Sequence, residues 1–256
     1  MIQKRLIGVV TVRDGWAVQS FGYSRYLPLG RPEILVENLD RWGADEILVQ
    51  VIDRSTSGQG PDMALLERIG RRGLATPLIY AGGVRNAGDA IAAVATAADR
   101  VVVDALLHDD PAQVLKAGEQ LGNQAVIGSL PLSMEDGEVR WLDYRTGESK
   151  PLSSVLLELL ASGSVSEALV IDWQHEGEPR GFNAALIETL PDNVPVIAFG
   201  GLSQPDQIAR VLRSPRVAAA AVGNFLSYRE HAMQAFRAEI VGVPLRPAEY
   251  QQASYD

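Results

Sequence analysis

Two glycine pairs mark the places where this chain could hold an anion. Gly82-Gly83 ends the apolar run Pro77-Leu78-Ile79-Tyr80-Ala81, and Gly200-Gly201 ends Pro195-Val196-Ile197-Ala198-Phe199. Glycine there lets backbone N–H groups come close to a phosphate, and a helix starting just beyond would add its dipole. Two such turns facing one another would suit a ligand with two phosphates. The alternative is that each pair only makes a tight turn. Ionisable residues also follow apolar runs: Asp14, Asp53, Asp104, Asp172, His175 and Glu176. Asp53, Asp104 and Asp172 are the candidates for proton transfer, since a carboxylate closing an apolar segment calls for a reason. Asp14-Gly15 reads as a turn, and His175-Glu176 as a loop pair that is either solvated or engaged in acid–base work. His108, His175 and His231 lack metal-ligand spacing, and neither a dinucleotide-binding nor a P-loop pattern is present. No metal and no cofactor are expected.

The elements that would position these residues occur twice. The glycine pairs lie 118 positions apart; Glu46-Ile47-Leu48-Val49 matches Glu167-Ala168-Leu169-Val170 at an offset of 121; Val102-Val103-Asp104 matches Val222-Gly223-Asn224 at 120. Self-similarity at half the chain length implies two similar half-structures. Apolar runs near 5–12, 46–52, 77–81, 100–104, 124–130, 167–173, 195–199 and 217–223 read as strands, and the stretches between them carry helical periodicity. Examples are 62–72, 86–98 and 111–121, with another helix start at 203–206. Eight strands alternating with helices over 256 residues predict an α/β fold, a (β/α)8 TIM barrel with internal half-barrel duplication. The expected organisation is a single domain over 1–256, with half-barrels of about 1–122 and 123–243 and a loosely packed tail from Pro244 to Asp256. The segment 133–144, with a hairpin turn at Asp136-Gly137, reads as an insertion outside the repeat, lying over the strand C-terminal mouth where barrel enzymes build their sites.

Composition narrows the function classes. The absence of cysteine rules out disulfides, thiolate metal sites and a cysteine nucleophile. A net charge of −9 speaks against nucleic acid as the main partner. No apolar run reaches the length of a membrane span, and the N-terminus enters a strand pattern without the features of a signal peptide. A cytoplasmic protein is expected, with neither nucleic acid nor membrane as partner.

Several segments together carry a family resemblance: Lys4-Arg5-Leu6-Ile7, Arg13-Asp14-Gly15, Gly43-Ala44-Asp45-Glu46-Ile47, both glycine-pair strands and Phe225-Leu226-Ser227-Tyr228-Arg229-Glu230. The chain resembles the cyclase subunit of imidazole glycerol phosphate synthase, the HisF family, over almost its whole length. The resemblance implies a lyase-type synthase subunit related to histidine biosynthesis. It also implies a HisH-like glutaminase partner, an ammonia channel through the barrel and a small anionic or phosphorylated substrate at the mouth. It further implies an ammonia gate of Arg5, Glu46, Arg100 and Glu167, with Arg100 in place of the usual lysine. Asp99 would face the partner, and Gly82, Gly83, Gly177, Gly200, Gly201 and Asn224 would hold phosphate. The departures are as informative. Thr11 and Leu130 stand where the family carries its two catalytic aspartates, and neither can act as a carboxylate base. Asp104-Ala105 replaces the usual Asn-Thr, putting negative charge beside the first phosphate position. The expectation is a divergent barrel subunit of a glutamine-dependent amidotransferase whose acceptor differs from the histidine-pathway ligand, in the manner of related barrels of surface-sugar or nonulosonic-acid synthesis. Two alternatives stand beside it: an active cyclase, isomerase or lyase using Asp53, Asp104 or Asp172, and a non-catalytic anion-binding barrel.

Overall fold

The computed structural model describes residues 3–179, 181–228 and 231–248. Its elements run in the order β1 (Arg5–Arg13), β2 (Trp16–Phe21), β3 (Arg25–Gly30), α1 (Pro32–Arg41), β4 (Glu46–Val51), α2 (Met63–Gly70), β5 (Leu78–Ala81), α3 (Ala87–Thr96), β6 (Arg100–Val103), α4 (Ala105–Asp109) and α5 (Pro111–Leu121). The second half continues with β7 (Val126–Glu135), β8 (Glu138–Asp143), β9 (Glu148–Pro151), α6 (Ser154–Ala161), β10 (Glu167–Asp172), α7 (Ala185–Glu188), β11 (Val196–Phe199), α8 (Pro205–Leu212), β12 (Val217–Val222) and α9 (Ala232–Glu239).

Eight of these strands are parallel, in the order β10-β11-β12-β1-β4-β5-β6-β7, and β7 pairs with β10 to close the barrel. Closure removes every exposed sheet edge among them. Alternation along the strands sorts the core into two layers. Ile7, Val9, Leu48, Ile79, Val102, Ile127, Leu169, Ile171, Ile197 and Phe199 fill the barrel interior. Leu6, Val10, Val49, Val103, Leu130 and Val170 face the helices, where they meet Leu39, Leu66, Ala93, Val114, Leu160 and Ile208.

The helices start where their sequences provide caps. Asp62, Asn86 and Ser153 accept from the backbone N–H three residues on, opening α2, α3 and α6, while proline opens α1, α5 and α8. Among the described residues no helix is long and apolar enough to cross a membrane. The tail residues from 249 onward, including Gln251 and Gln252, lie outside the described residues, as do Arg229 and Glu230.

One expectation is corrected here. The excursion after β7 is not foreign to the repeat. β1 is also followed by an antiparallel hairpin, β2–β3, as β7 is by β8–β9. Both first turns are Asp-Gly with left-handed backbone: Asp14 and Gly15 at φ 50° and 78°, Asp136 and Gly137 at 50° and 83°. That geometry is the two-residue turn whose twist matches a hairpin. Each half-barrel thus opens with one strand followed by one hairpin.

Candidate functional site

At the N-terminal end of the strands, four charges meet. Arg5 on β1 places Nη1 2.8 Å from Glu46 on β4 and also bonds Glu167 on β10. Arg100 on β6 places Nη1 3.2 Å from the other Glu46 oxygen and Nη2 2.6 Å from the other Glu167 oxygen. Each arginine spans both carboxylates, so the four side chains form a closed ring of alternating charge. All four are well buried, with side-chain exposures between 7% and 13%. Burial opposes the charge on Arg5, but Glu167 and Glu46 outweigh it and hold the guanidinium above its usual value. Arg100 is anchored further, donating to the Gln124 carbonyl at 3.0 Å and to Ser166 Oγ at 2.7 Å. The planar guanidinium supports this many directed bonds at once. Asp99 sits beside the ring on the surface, where its Oδ2 accepts from Leu78 N at 2.7 Å and fixes the start of β5.

At the opposite end lies a cavity of about 720 Å³. Its depth is lined by Ala81, Val102, Leu169 and Ile171 from the barrel interior, and its walls by Tyr23, Tyr26, Gln50, Ser129, Tyr144 and Trp173. Both hairpins contribute: β2–β3 carries Tyr23 and Tyr26, and the turn between β8 and β9 carries Tyr144 and Arg145. The Tyr23 and Tyr144 rings lie 5.7 Å apart, an ordinary tilted aromatic contact. Gln50 donates to the Tyr23 hydroxyl at 2.9 Å. Burial pushes both tyrosine hydroxyls well above their normal range, so both stay protonated.

Two of the three candidate carboxylates line this cavity. Asp53 follows β4 and accepts from Asp14 N at 2.8 Å through Oδ2, tying it to the β1–β2 turn. Its Oδ1 is buried without a partner. Asp104 ends β6 and faces the same space; its Oδ1 also lacks a partner. Burial, reinforced by the Asp143 carboxylate, pushes Asp104 up to about 8. A carboxyl held there is a proton donor at neutral pH. Asp172 lies apart from the cavity lining. It is buried, accepts from Asn183 N at 2.7 Å and meets His175 Nδ1 at 2.9 Å. Burial raises its pKa, against the pull of Asn183 and His175.

The two strand-end positions differ from one another. Thr11 follows Ile7 and Val9 on the inner parity of β1 and lies beside Gln50 of β4. Leu130 does not face the mouth at all; it is fully buried in the layer between sheet and helices. Alternation puts Ser129 and Pro131, not Leu130, on the inner parity of β7.

The phosphate-site candidates are dispersed. Gly82 and Gly83 line the cavity, but crowding alone explains them: a Cβ on Gly82 would lie 2.3 Å from the Val51 carbonyl, and one on Gly83 2.7 Å from those of Gln59 and Gly60. Gly200 and Gly201 repeat the pattern, against the Asp172 carbonyl at 2.4 Å and Phe182 N at 2.5 Å. Each pair lets the preceding loop cross over the strand end. Gly177 abuts the Ser20 carbonyl, where a Cβ would be 2.3 Å away. Asn224 accepts from Ser20 N at 3.1 Å and donates to Ser20 O at 2.5 Å. Gly177, Gly200, Gly201 and Asn224 are outside the cavity lining.

The tyrosine wall was missed from sequence because hairpin length, not motif, brings it over the mouth. One signal was readable: Gln50 interrupts the apolar run of β4 at an inward position.

Comparison with known proteins agrees with this geometry. Residues 5–232 match the family model described as histidine biosynthesis protein. The chain belongs to that family. As a HisF-like barrel it is 24% identical to the imidazole glycerol phosphate synthase subunit HisF of Exiguobacterium sp. (strain ATCC BAA-1283 / AT1b), over 91% of this chain and 92% of that protein. It is 26% identical to the subunit of the same name from Bacillus licheniformis, over 93% and 96%. A protein of Vibrio vulnificus (strain YJ016), provisionally named imidazole glycerol phosphate synthase subunit hisF2, is 25% identical over 100% of this chain and 95% of its own.

Proposed function

We propose that this HisF-family barrel is the synthase subunit of a glutamine-dependent amidotransferase, receiving ammonia from a HisH-like glutaminase at the strand N-terminal face and aminating an acceptor held in the opposite cavity. The observation that carries the reading is the closed ring of Arg5, Glu46, Arg100 and Glu167. Four buried charges at the mouth of an apolar tube are expensive to desolvate, and exchangeable pairing gives them a reason to stay. Beyond the ring lie Ile7, Leu48, Ile79, Ile127 and Leu169. Neutral ammonia crosses such a layer far more cheaply than ammonium or water-borne ions, given side-chain motion to admit it. Asp99, exposed next to the ring, is the residue we assign to the partner interface.

The acceptor in this reading is not the histidine-pathway ligand. Neither strand end that bears the family aspartates has a carboxylate here, and the acids Asp53 and Asp104 stand with Gly82-Gly83 around the cavity. Asp104, protonated below about pH 8, is suited to give a proton to an acceptor oxygen, and Asp53 to take one from the incoming nitrogen. Sedimentation of the barrel with candidate HisH-like glutaminases tests the reading. A one-to-one complex that Asp99→Arg weakens is expected; sedimentation as separate species with every candidate glutaminase would overturn it.

A second reading is favoured by the two unpartnered carboxylate oxygens in one cavity. It makes the barrel a free-standing cyclase, isomerase or lyase. Turnover of a phosphorylated histidine-pathway precursor with ammonium salt alone, abolished by Asp104→Asn, would select it.

A further inference from the structure

The β2–β3 hairpin does more than rim the mouth. It is bonded into the half of the mouth where the second glycine pair lies. Glu176, in the loop after β10, accepts from Ser20 Oγ at 2.8 Å and from Tyr23 N at 3.4 Å, while its own carbonyl accepts from Gly22 N at 2.8 Å. From the other side, the Asn224 amide pairs with both backbone groups of Ser20, like one more rung of sheet. Ser20, Glu176 and Asn224 are all buried, at 0%, 2% and 7% exposure. The Ser20 carbonyl presses on Gly177 closely enough to exclude even a methyl group. The Asn224 side-chain amide is thus spent on the Ser20 backbone, and the Glu176 carboxyl group sits beside it.

The open half has the opposite sign from a phosphate site. Arg145 is bonded to Asp109 and Asp143, and Arg85 to Asp89 and the Gly58 carbonyl, so neither guanidinium is free. Arg13 lies over the Tyr26 ring, 4.3 Å from its centroid, and 3.5 Å from the Asp14 carboxylate. Gly83 N already donates to Ser55 Oγ at 3.4 Å. The carboxyl groups of Asp53 and Asp104 also line the cavity.

We infer that the acceptor is a compact, uncharged or cationic molecule without a bisphosphate frame, bound in the half-mouth walled by Tyr23, Tyr144, Trp173, Asp53 and Asp104, because the chain's own hairpin covers Gly177 and engages the Asn224 amide on the other side. The inference rests on the amidotransferase reading for the word acceptor alone. The cavity supplies aromatic faces for a ring and carboxyl and amide edges for its donors, and a substrate that satisfies those edges is distinguished sharply from one that leaves them unpaired.

Calorimetry of the wild-type barrel with inorganic phosphate and with fructose 1,6-bisphosphate, paired with amide exchange, tests this. Neither compound is expected to bind saturably, and the Gly22 and Tyr23 amides should stay protected with and without them. Saturable bisphosphate binding, or loss of that protection on its addition, would overturn the inference. Glu176→Ser removes the buried carboxylate from the seam. Once its melting curve shows a folded barrel, it should expose the two amides and bind the bisphosphate at least about tenfold more tightly than wild type. Exposed amides without any gain in binding would show that the hairpin is not what excludes it. A glutaminase that fails to dock would sink the amidotransferase reading and leave this result untouched.

Discussion

The two ends of the barrel treat buried charge in opposite ways. At the strand N-termini, Arg5, Glu46, Arg100 and Glu167 satisfy one another around a closed cycle. At the C-terminal mouth, Asp53 and Asp104 each keep a buried oxygen with no partner. The first arrangement trades desolvation for mutual attraction and leaves nothing over for a ligand. The second leaves two buried acceptors unsatisfied beside a cavity, a cost the fold carries there.

Breaking the ring tests this contrast hardest. Arg5→Ala removes one of the two arginines that neutralise the buried Glu46 and Glu167, and chemical denaturation should register a loss of about 3–5 kcal/mol. A loss below about 1 kcal/mol would mean the ring is solvated and not a buried network. Arg100→Ala should cost a similar amount, because each arginine spans both glutamates.

The mouth makes a prediction of the opposite sign in pH. Burial pushes Glu176 up to about 7 from 4.5, and Asp104 up to about 8 from 3.8. Their folded-state pKa values exceed the unfolded ones, so the folded protein binds more protons. The stability they support is whole below about pH 4 and lost as pH rises toward 8. Glu176→Gln keeps acceptors for Ser20 and Tyr23 and should flatten the decline by on the order of 2 kcal/mol between pH 4 and pH 8. Asp104→Asn should flatten the same profile across the whole range. Thermal melts over that range check both, and parallel profiles for wild type and variants would remove the buried acids from the account.

The smallest effect is expected at the surface between the two behaviours. Asp99→Asn keeps an acceptor for Leu78 N and should change stability by less than about 1 kcal/mol. It separates a structural role for Asp99 from the docking role tested by Asp99→Arg.

Much of the scaffold was legible in the sequence because the repeat states it twice. Strand alternation and cap residues such as Asp62 and Asn86 then placed the elements to within a few residues. The charged ring was legible through the family resemblance, since each member opens a barrel strand. Side-chain parity was harder. Leu130 was matched to a mouth position one residue off the inner register of β7, and a shift of one residue turns a strand position from interior to exterior. Asp14-Gly15 was visible as a turn, but a turn signal does not say how far the strands beyond it run, so β2–β3 and its tyrosines went unseen. Gly177 and Asn224 were legible as strand-end loop residues, but their packing against Ser20 of the β2–β3 hairpin was not.

The most direct test of the central claim is glutamine hydrolysis by candidate HisH-like glutaminases, measured alone and with the barrel. The account predicts that the wild-type barrel raises the hydrolysis rate at least about tenfold, equivalent to ~1.4 kcal/mol of transition-state stabilisation, and that a folded Arg5→Ala barrel does so less. An unchanged rate across all barrel concentrations, with no complex formed, would contradict it.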